Sequence, residues 1–218
     1  MNGLAPQTSQ VFDTITRLEC IKPYVLVEGT ALSIQLNMRL SEDLDFMSWI
    51  KKRNEKPEVE ISAIKRELES VGHIDDMEIG GFNFVSFVFE GVKLSFYKPP
   101  RKQIPTMQAT PFQNNLRLAD IKSIGAMKME AMLRRSKYRD YYDIYCILQQ
   151  GIDFEEMVQL AIEHSGNLLK RKNLLAMLTN GDNYRKDAQF LQLQPVYDIT
   201  PQEIEQYIKR VLLENKKV

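Results

Sequence analysis

Apolar and polar residues follow two different rhythms along this chain, and the switch between them divides it. Near the N-terminus Val11, Ile15 and Leu18 recur at helical spacing and predict a helix over residues 9–19. The apolar run Tyr24-Val25-Leu26-Val27 has the length of a short buried strand. Gly29 breaks it, and residues 30–36 read as a helix entered through a tight turn, with the glycine as the natural left-handed residue. Leu44-Asp45-Phe46 fits a second strand, and residues 58–71 a surface helix closed by Gly72. The period then falls to two: residues 83–89 and 92–97 flank Glu90-Gly91, which predicts a hairpin ended by Pro99-Pro100.

Beyond Pro111 the helical period takes over. Helices are expected over residues 119–135, 139–149, 153–164 and 168–178. Thr200-Pro201-Gln202-Glu203 is a start signal, because Thr can cap, Pro fits the first turn and Glu can reach back, so a last helix should run to Glu214. The pattern predicts an α/β (α+β) fold: a mixed α/β core with an N-terminal helix over residues 1–110, then a helical domain over residues 111–218. The division is expected in the loop between Lys98 and Leu116.

Composition narrows the function classes. With 218 residues, 44% hydrophobic and 27% charged, the chain is long enough to bury a core without staples. Lys plus Arg and Asp plus Glu both number 29, so the chain lacks the basic excess of a dedicated nucleic-acid binder. Any nucleic-acid contact would have to come from a local patch; Lys170-Arg171-Lys172 is one basic run, read first as a solvated helix face. Cys20 and Cys146 lie far apart, match no metal spacing and fit a reducing compartment. The polar N-terminus lacks a signal-peptide core, and no apolar run approaches the ~18 residues of a membrane span. The expected location is the cytoplasm, with no membrane partner.

Four features carry candidate chemistry. In Ser41-Glu42-Asp43-Leu44-Asp45-Phe46, strand alternation sends Asp43 and Asp45 to the same side. Two such carboxylates repel unless a cation lies between them, and magnesium prefers oxygen ligands. A solvated face on an edge strand is the plainer explanation of Asp-x-Asp alone. Upstream, Val27-Glu28-Gly29-Thr30-Ala31 is strand, turn, hydroxyl residue and helix, a geometry that turns backbone N–H groups towards phosphate. Lys128 interrupts an apolar stripe formed by Ile121, Ile124, Gly125, Ala131 and Met132, so it either snorkels to the rim or serves a binding site. Asp140 and Asp143 are neighbours on the next helix. Asp140 is read as charging the helix start, and Asp143 as a partner for Lys128 or Arg135.

Together these segments resemble the AbiEii/AbiGii toxin family of nucleotidyltransferases, of the DNA polymerase β-like superfamily. Gly29, Thr30, Ala31, Leu32, Arg39, Ser41, Asp43, Leu44, Asp45 and Phe46 match one family block. Lys128, Arg135, Arg139, Asp140, Asp143 and Tyr145 match a second at the family spacing. The resemblance implies a nucleotidyltransferase-fold mixed sheet with flanking helices and a magnesium-dependent transfer of a nucleotide monophosphate from an NTP to an acceptor hydroxyl. It implies Asp43 and Asp45 as metal ligands, and Gly29, Thr30, Arg39, Ser41, Lys128 and Arg135 as nucleotide-binding residues. Asp43, Asp45, Lys128 and Asp143 would form the catalytic set. Expected partners are the nucleotide, an RNA or other acceptor, and an antitoxin from a toxin–antitoxin or abortive-infection system.

Two residues depart from the family pattern. Glu28 stands where a first Gly is usual, and Ser95 where a third carboxylate is expected on the strand Val92–Tyr97. The second departure keeps a rival in view: a catalytically degenerate member that binds nucleotide or a partner protein without turnover.

Overall fold

The computed structural model describes residues 2–48, 56–99, 108–186 and 188–214. Pro100 of the expected hairpin end lies outside the described residues. The chain divides into two compact units, Met1–Asp120 and Ile121–Val218.

The first unit is built on a seven-stranded sheet. The chain enters through helix α1 (Pro6–Thr16), strand β1 (Val25–Leu26), helix α2 (Glu28–Leu36) and strand β2 (Leu44–Met47). Helix α3 (Ile61–Val71) follows, then strands β3 (Ile74–Gly81), β4 (Phe84–Phe89), β5 (Val92–Tyr97), β6 (Ala109–Gln113) and β7 (Leu116–Ala119). The strand order is β3-β4-β5-β2-β1-β7-β6. β2 runs parallel to β5 and β1 parallel to β7, while the remaining pairs are antiparallel, so the sheet is mixed.

The predicted hairpin is present. Glu90 and Gly91 both have positive φ, 48° and 72°, between the paired residues Phe89 and Val92. Two left-handed residues form the turn whose twist matches the strands, and Gly takes that geometry without a Cβ clash. Alternation along β2, β4 and β5 makes one sheet face apolar: Leu44, Phe46, Val85, Phe87, Leu94 and Phe96 are buried. Phe46 stacks on Phe96 at 5.0 Å, and Tyr24 meets Phe96 edge-on at 5.3 Å. The other face carries Asp45, Ser95 and Ser86 in one cross-strand row, since Asp45 pairs with Ser95 and Ser95 with Ser86.

Two strands escape the hydrophobic pattern. β3 is an edge strand with exposed positions from Asp75 to Gly81, so burial imposes no alternation on it. β6 is the other edge and contains Pro111, tolerated there because an edge strand has a side without ladder bonds. Residues after Pro111 therefore do not turn helical at once: β6 and β7 form a second hairpin through Asn114, at φ 51°, before the first helix of the second unit.

The second unit is helical. It contains α4 (Ile121–Ala131), α5 (Tyr138–Leu148), α6 (Phe154–His164), α7 (Arg171–Leu178), α8 (Ala188–Gln192) and α9 (Pro201–Glu214). The Thr200–Glu203 start signal forms a complete capping box: Glu203 N–H donates to Thr200 Oγ1 at 3.2 Å, and Thr200 N–H to Glu203 Oε2 at 2.8 Å. Arg171 of the basic run pairs with Glu155 at 2.6 Å on an exposed surface.

Candidate active site

The site in the first unit is organised by the backbone around Asp43 and Asp45. The N-terminal segment braces this stretch: Ala5 N–H donates to the Ser41 carbonyl at 2.9 Å, Ser41 N–H to the Gly3 carbonyl at 3.0 Å, and Thr8 Oγ1 to the Glu42 carbonyl at 2.6 Å. Asp43 and Asp45 are half-buried, whereas Leu44 and Phe46 between and beyond them are buried. That alternation separates the carboxylates from the apolar face.

The strand-to-helix turn is tied to the same stretch at both ends. Val27 N–H donates to the Asp45 carbonyl at 2.9 Å, and Thr30 Oγ1 donates to the Asp43 carbonyl. Thr30 Oγ1 also lies 2.8 Å from Ser41 Oγ, and both side chains are buried. These hydroxyls therefore clamp the turn to the acidic strand, a role that the Gly-Thr pattern alone does not reveal. Arg39 is buried as well and donates Nη1 to the Leu40 carbonyl at 2.9 Å.

Glycine serves a different purpose here from the one expected. Gly29 is not the left-handed residue; Glu28 is, at φ 58°. Gly29 instead permits close approach, because a Cβ on it would stand 2.5 Å from Arg39 Nη2. A guanidinium thus lies directly against the turn.

Ser95 occupies the position opposite Asp45 on the parallel neighbour β5, and it is buried. Among the described residues no group of three or more His, Cys, Asp or Glu is gathered so as to hold a metal ion. The donor set still suits magnesium in its usual protein setting. Asp43 and Asp45 offer hard oxygens, and such ions are commonly held by one or two carboxylates plus phosphates and water.

In the second unit Lys128 does not snorkel. It is 2% exposed, with Nζ 2.9 Å from Asp140 Oδ1 and 3.3 Å from Asp143 Oδ2. Arg135 adds a two-pronged contact to Asp140, Nε to Oδ2 at 2.7 Å and Nη2 to Oδ1 at 3.0 Å. The expected Lys128–Asp143 pairing is present. Asp140, expected only to charge the helix start, is instead the buried hub of the cluster. Burial pushes its carboxyl pKa up, but the Lys128 charge and the Arg135 contact outweigh this and hold it well below the usual range. Its five-residue spacing from Arg135, across the break between helices, is the signal that could have marked it.

Comparison with known proteins decides the family. The family model for "Nucleotidyl transferase AbiEii toxin, Type IV TA system" matches residues 22–217. The chain belongs to this family. It is also similar to an uncharacterized protein, aq_aa25, of Aquifex aeolicus (strain VF5), at 26% identity over 98% of both chains. In fold it is similar to JHP933 from Helicobacter pylori, with a TM-score of 0.58 and 19% identity, covering 98% of this chain and 95% of that one. Membership supports nucleotidyl transfer within a type IV toxin–antitoxin system, and hence an antitoxin in that system. Among the described residues no helix is long and apolar enough to cross a membrane.

Proposed function

We propose that this chain transfers a nucleotide monophosphate from an NTP to an acceptor hydroxyl in a magnesium-dependent reaction, as the toxin-like component of its system. The supporting observation is the turn Val27–Thr30, hydrogen-bonded at both ends to the backbone of Asp43 and Asp45. It brings together backbone N–H groups suited to phosphate and carboxylates suited to a phosphate-bound cation. Bound magnesium would offset the charge of the phosphates and of the leaving pyrophosphate.

Each residue then has a defined task. Asp43 and Asp45 hold the cation. Gly29 and Thr30 present backbone N–H groups to the phosphates, while Thr30, Ser41 and Arg39 keep that turn in shape through their buried side chains. In the second unit Asp140 and Asp143 fix the Lys128 ammonium, and Arg135 steadies Asp140. The acceptor is RNA, a protein side chain or a small molecule, and the assay distinguishes these.

The test is transfer of labelled nucleotide into total RNA, protein and small-molecule fractions. Asp45→Asn should lower labelling by at least ~10², the scale of losing one electrostatic contact to the reacting phosphates. Labelling that survives Asp45→Asn would overturn the assignment. Ser95 favours a second reading, since a serine hydroxyl beside Asp45 supplies neither a strong ligand nor a base. Nucleotide binding without labelling of any fraction would establish that binder.

A further inference from the structure

We infer that Met47, Tyr97 and Phe84 form a stacking surface for a nucleobase of the acceptor, which makes RNA the acceptor class of the proposed reaction. This rests on the nucleotidyltransferase reading above. One face of β2, β5 and β4 carries the row Asp45, Ser95 and Ser86. The next row on that face breaks the polar pattern. Met47 pairs with Tyr97 and Tyr97 with Phe84, so a thioether and two aromatic rings stand side by side. All three are half-buried, whereas Phe46, Phe87 and Phe96 on the opposite face are sealed in the core. The face of a sheet turned away from the core is ordinarily polar, so partly open rings beside an acidic row call for a ligand with a flat apolar surface.

Sheet order places this row relative to the phosphate-suited turn. β1 and the turn that follows it lie on one side of β2, and β5 and β4 lie on the other. Val27 N–H and Thr30 Oγ1 hold the turn to the Asp45 and Asp43 carbonyls from the β1 side. The carboxylate strand therefore stands between the turn and the two rings. Tyr97 is one strand across from Asp45 and two residues further along, steps of about 4.8 Å and about 6.6 Å. That diagonal is comparable with the reach from a ribose hydroxyl to its own base. Phe84 is held down on its neighbour β3, because a Cβ on Gly80 would stand 2.7 Å from its Cδ1. A ring so held loses little freedom when a base stacks on it.

The chemistry of transfer assigns the occupant. The acceptor oxygen bonds to the α-phosphorus while the bond from that phosphorus to the bridging oxygen breaks. Pyrophosphate leaves with the electron pair, and the hydroxyl proton passes to water. Attacking and leaving oxygens lie in line across the phosphorus. With the leaving phosphates on the turn, the acceptor enters from the opposite side, where the rings are. Base–aromatic stacking tolerates any base, because every base has a π-face, so the row holds a terminal nucleotide without reading its sequence.

Steady-state transfer of labelled nucleotide into total RNA by the full chain tests this. Tyr97→Leu and Phe84→Leu keep apolar bulk and remove the ring. Each should raise KM for RNA about five- to tenfold and leave KM for the NTP within about twofold, while Tyr97→Phe and Phe84→Tyr should match wild type. A second measurement needs no variant: RNA ending in 4-thiouridine, irradiated with the wild-type protein, should crosslink to Met47, Phe84 or Tyr97. Crosslinks confined to other residues overturn the inference, as does a pair of unchanged KM values. A rise in KM for the NTP alone assigns the rings to the base of the NTP and overturns it as well. Wild-type labelling of protein or small molecules without RNA sinks the inference and leaves nucleotidyl transfer standing. No wild-type labelling of any fraction removes the transfer reading and the inference with it.

Discussion

In Met1–Asp120 the acidic residues Asp43 and Asp45 stand half-open on a strand beside a phosphate-suited turn, whereas in Ile121–Val218 Asp140 and Asp143 are sealed around Lys128. Both places put carboxylates close together, and the family pattern marks both. They handle charge in opposite ways. The sheet unit fixes the backbone and leaves the carboxylates partly accessible. The helical unit satisfies its carboxylates internally, with one ammonium and one guanidinium held at 2.7 to 3.3 Å. A charge that the family pattern marks can thus be a tool in one unit and a keystone in the other.

Breaking the keystone should have the largest effect on stability. Lys128→Met would leave Asp140 and Asp143 buried with the ammonium gone. Removing one partner of a buried ion pair costs about 3–5 kcal/mol, because the remaining charge is stranded. Asp45→Asn, on a half-open position, should cost no more than about 1 kcal/mol. Denaturant midpoints of the two variants measure the contrast. Equal losses would erase the distinction drawn between the units.

Acid sharpens the same contrast. The folded-state pKa of Asp140 is depressed from 3.8, so its contribution is fully present above that unfolded value and is lost as pH falls through the lower folded one. Glu130 behaves likewise. Burial raises its pKa, but the hydrogen bond and charge of His164, at 2.5 Å, together with Arg134, bring it below 4.5. The helical unit should therefore lose stability as pH drops below about 4.5. Stability measured from pH 6 down to pH 3 should fall less steeply in Asp140→Asn than in wild type. Parallel slopes would mean that the cluster does not depend on Asp140 being ionised.

Legibility in the sequence followed burial and local chemistry. The β4–β5 hairpin could be read because one face is core and Glu90-Gly91 supplies the turn. The start of α9 could be read because its cap is made within four residues. β3 could not: its positions are exposed, so nothing selects an apolar period. The role of Asp140 is hidden in the sequence for the opposite reason. Its partners Lys128 and Arg135 precede α5 and reach it only through folding. The turn at Glu28-Gly29 is legible as a turn, but only the backbone shows that the glutamate takes the left-handed angle and the glycine the close contact.

The change at Ser95 is the most informative about the sheet unit. Ser95→Asp places a carboxylate opposite Asp45 on the neighbouring strand, at a position only 8% exposed. Like charges directly opposite one another in a sheet cost about 0.2–1 kcal/mol, and burial adds to that. The variant should therefore melt below wild type when magnesium is chelated. With magnesium present the penalty should shrink, because a cation between the carboxylates turns repulsion into shared attraction. A ligand stabilises the state that binds it in proportion to the logarithm of its concentration over its Kd, so the magnesium-induced rise in Tm should be larger for Ser95→Asp than for wild type. The same variant should raise turnover if the missing acid limits the reaction, within the ~10²–10⁴ that a general base contributes. A magnesium response identical in the two proteins would show that position 95 does not face the cation, and the third ligand would then have to be sought on another strand.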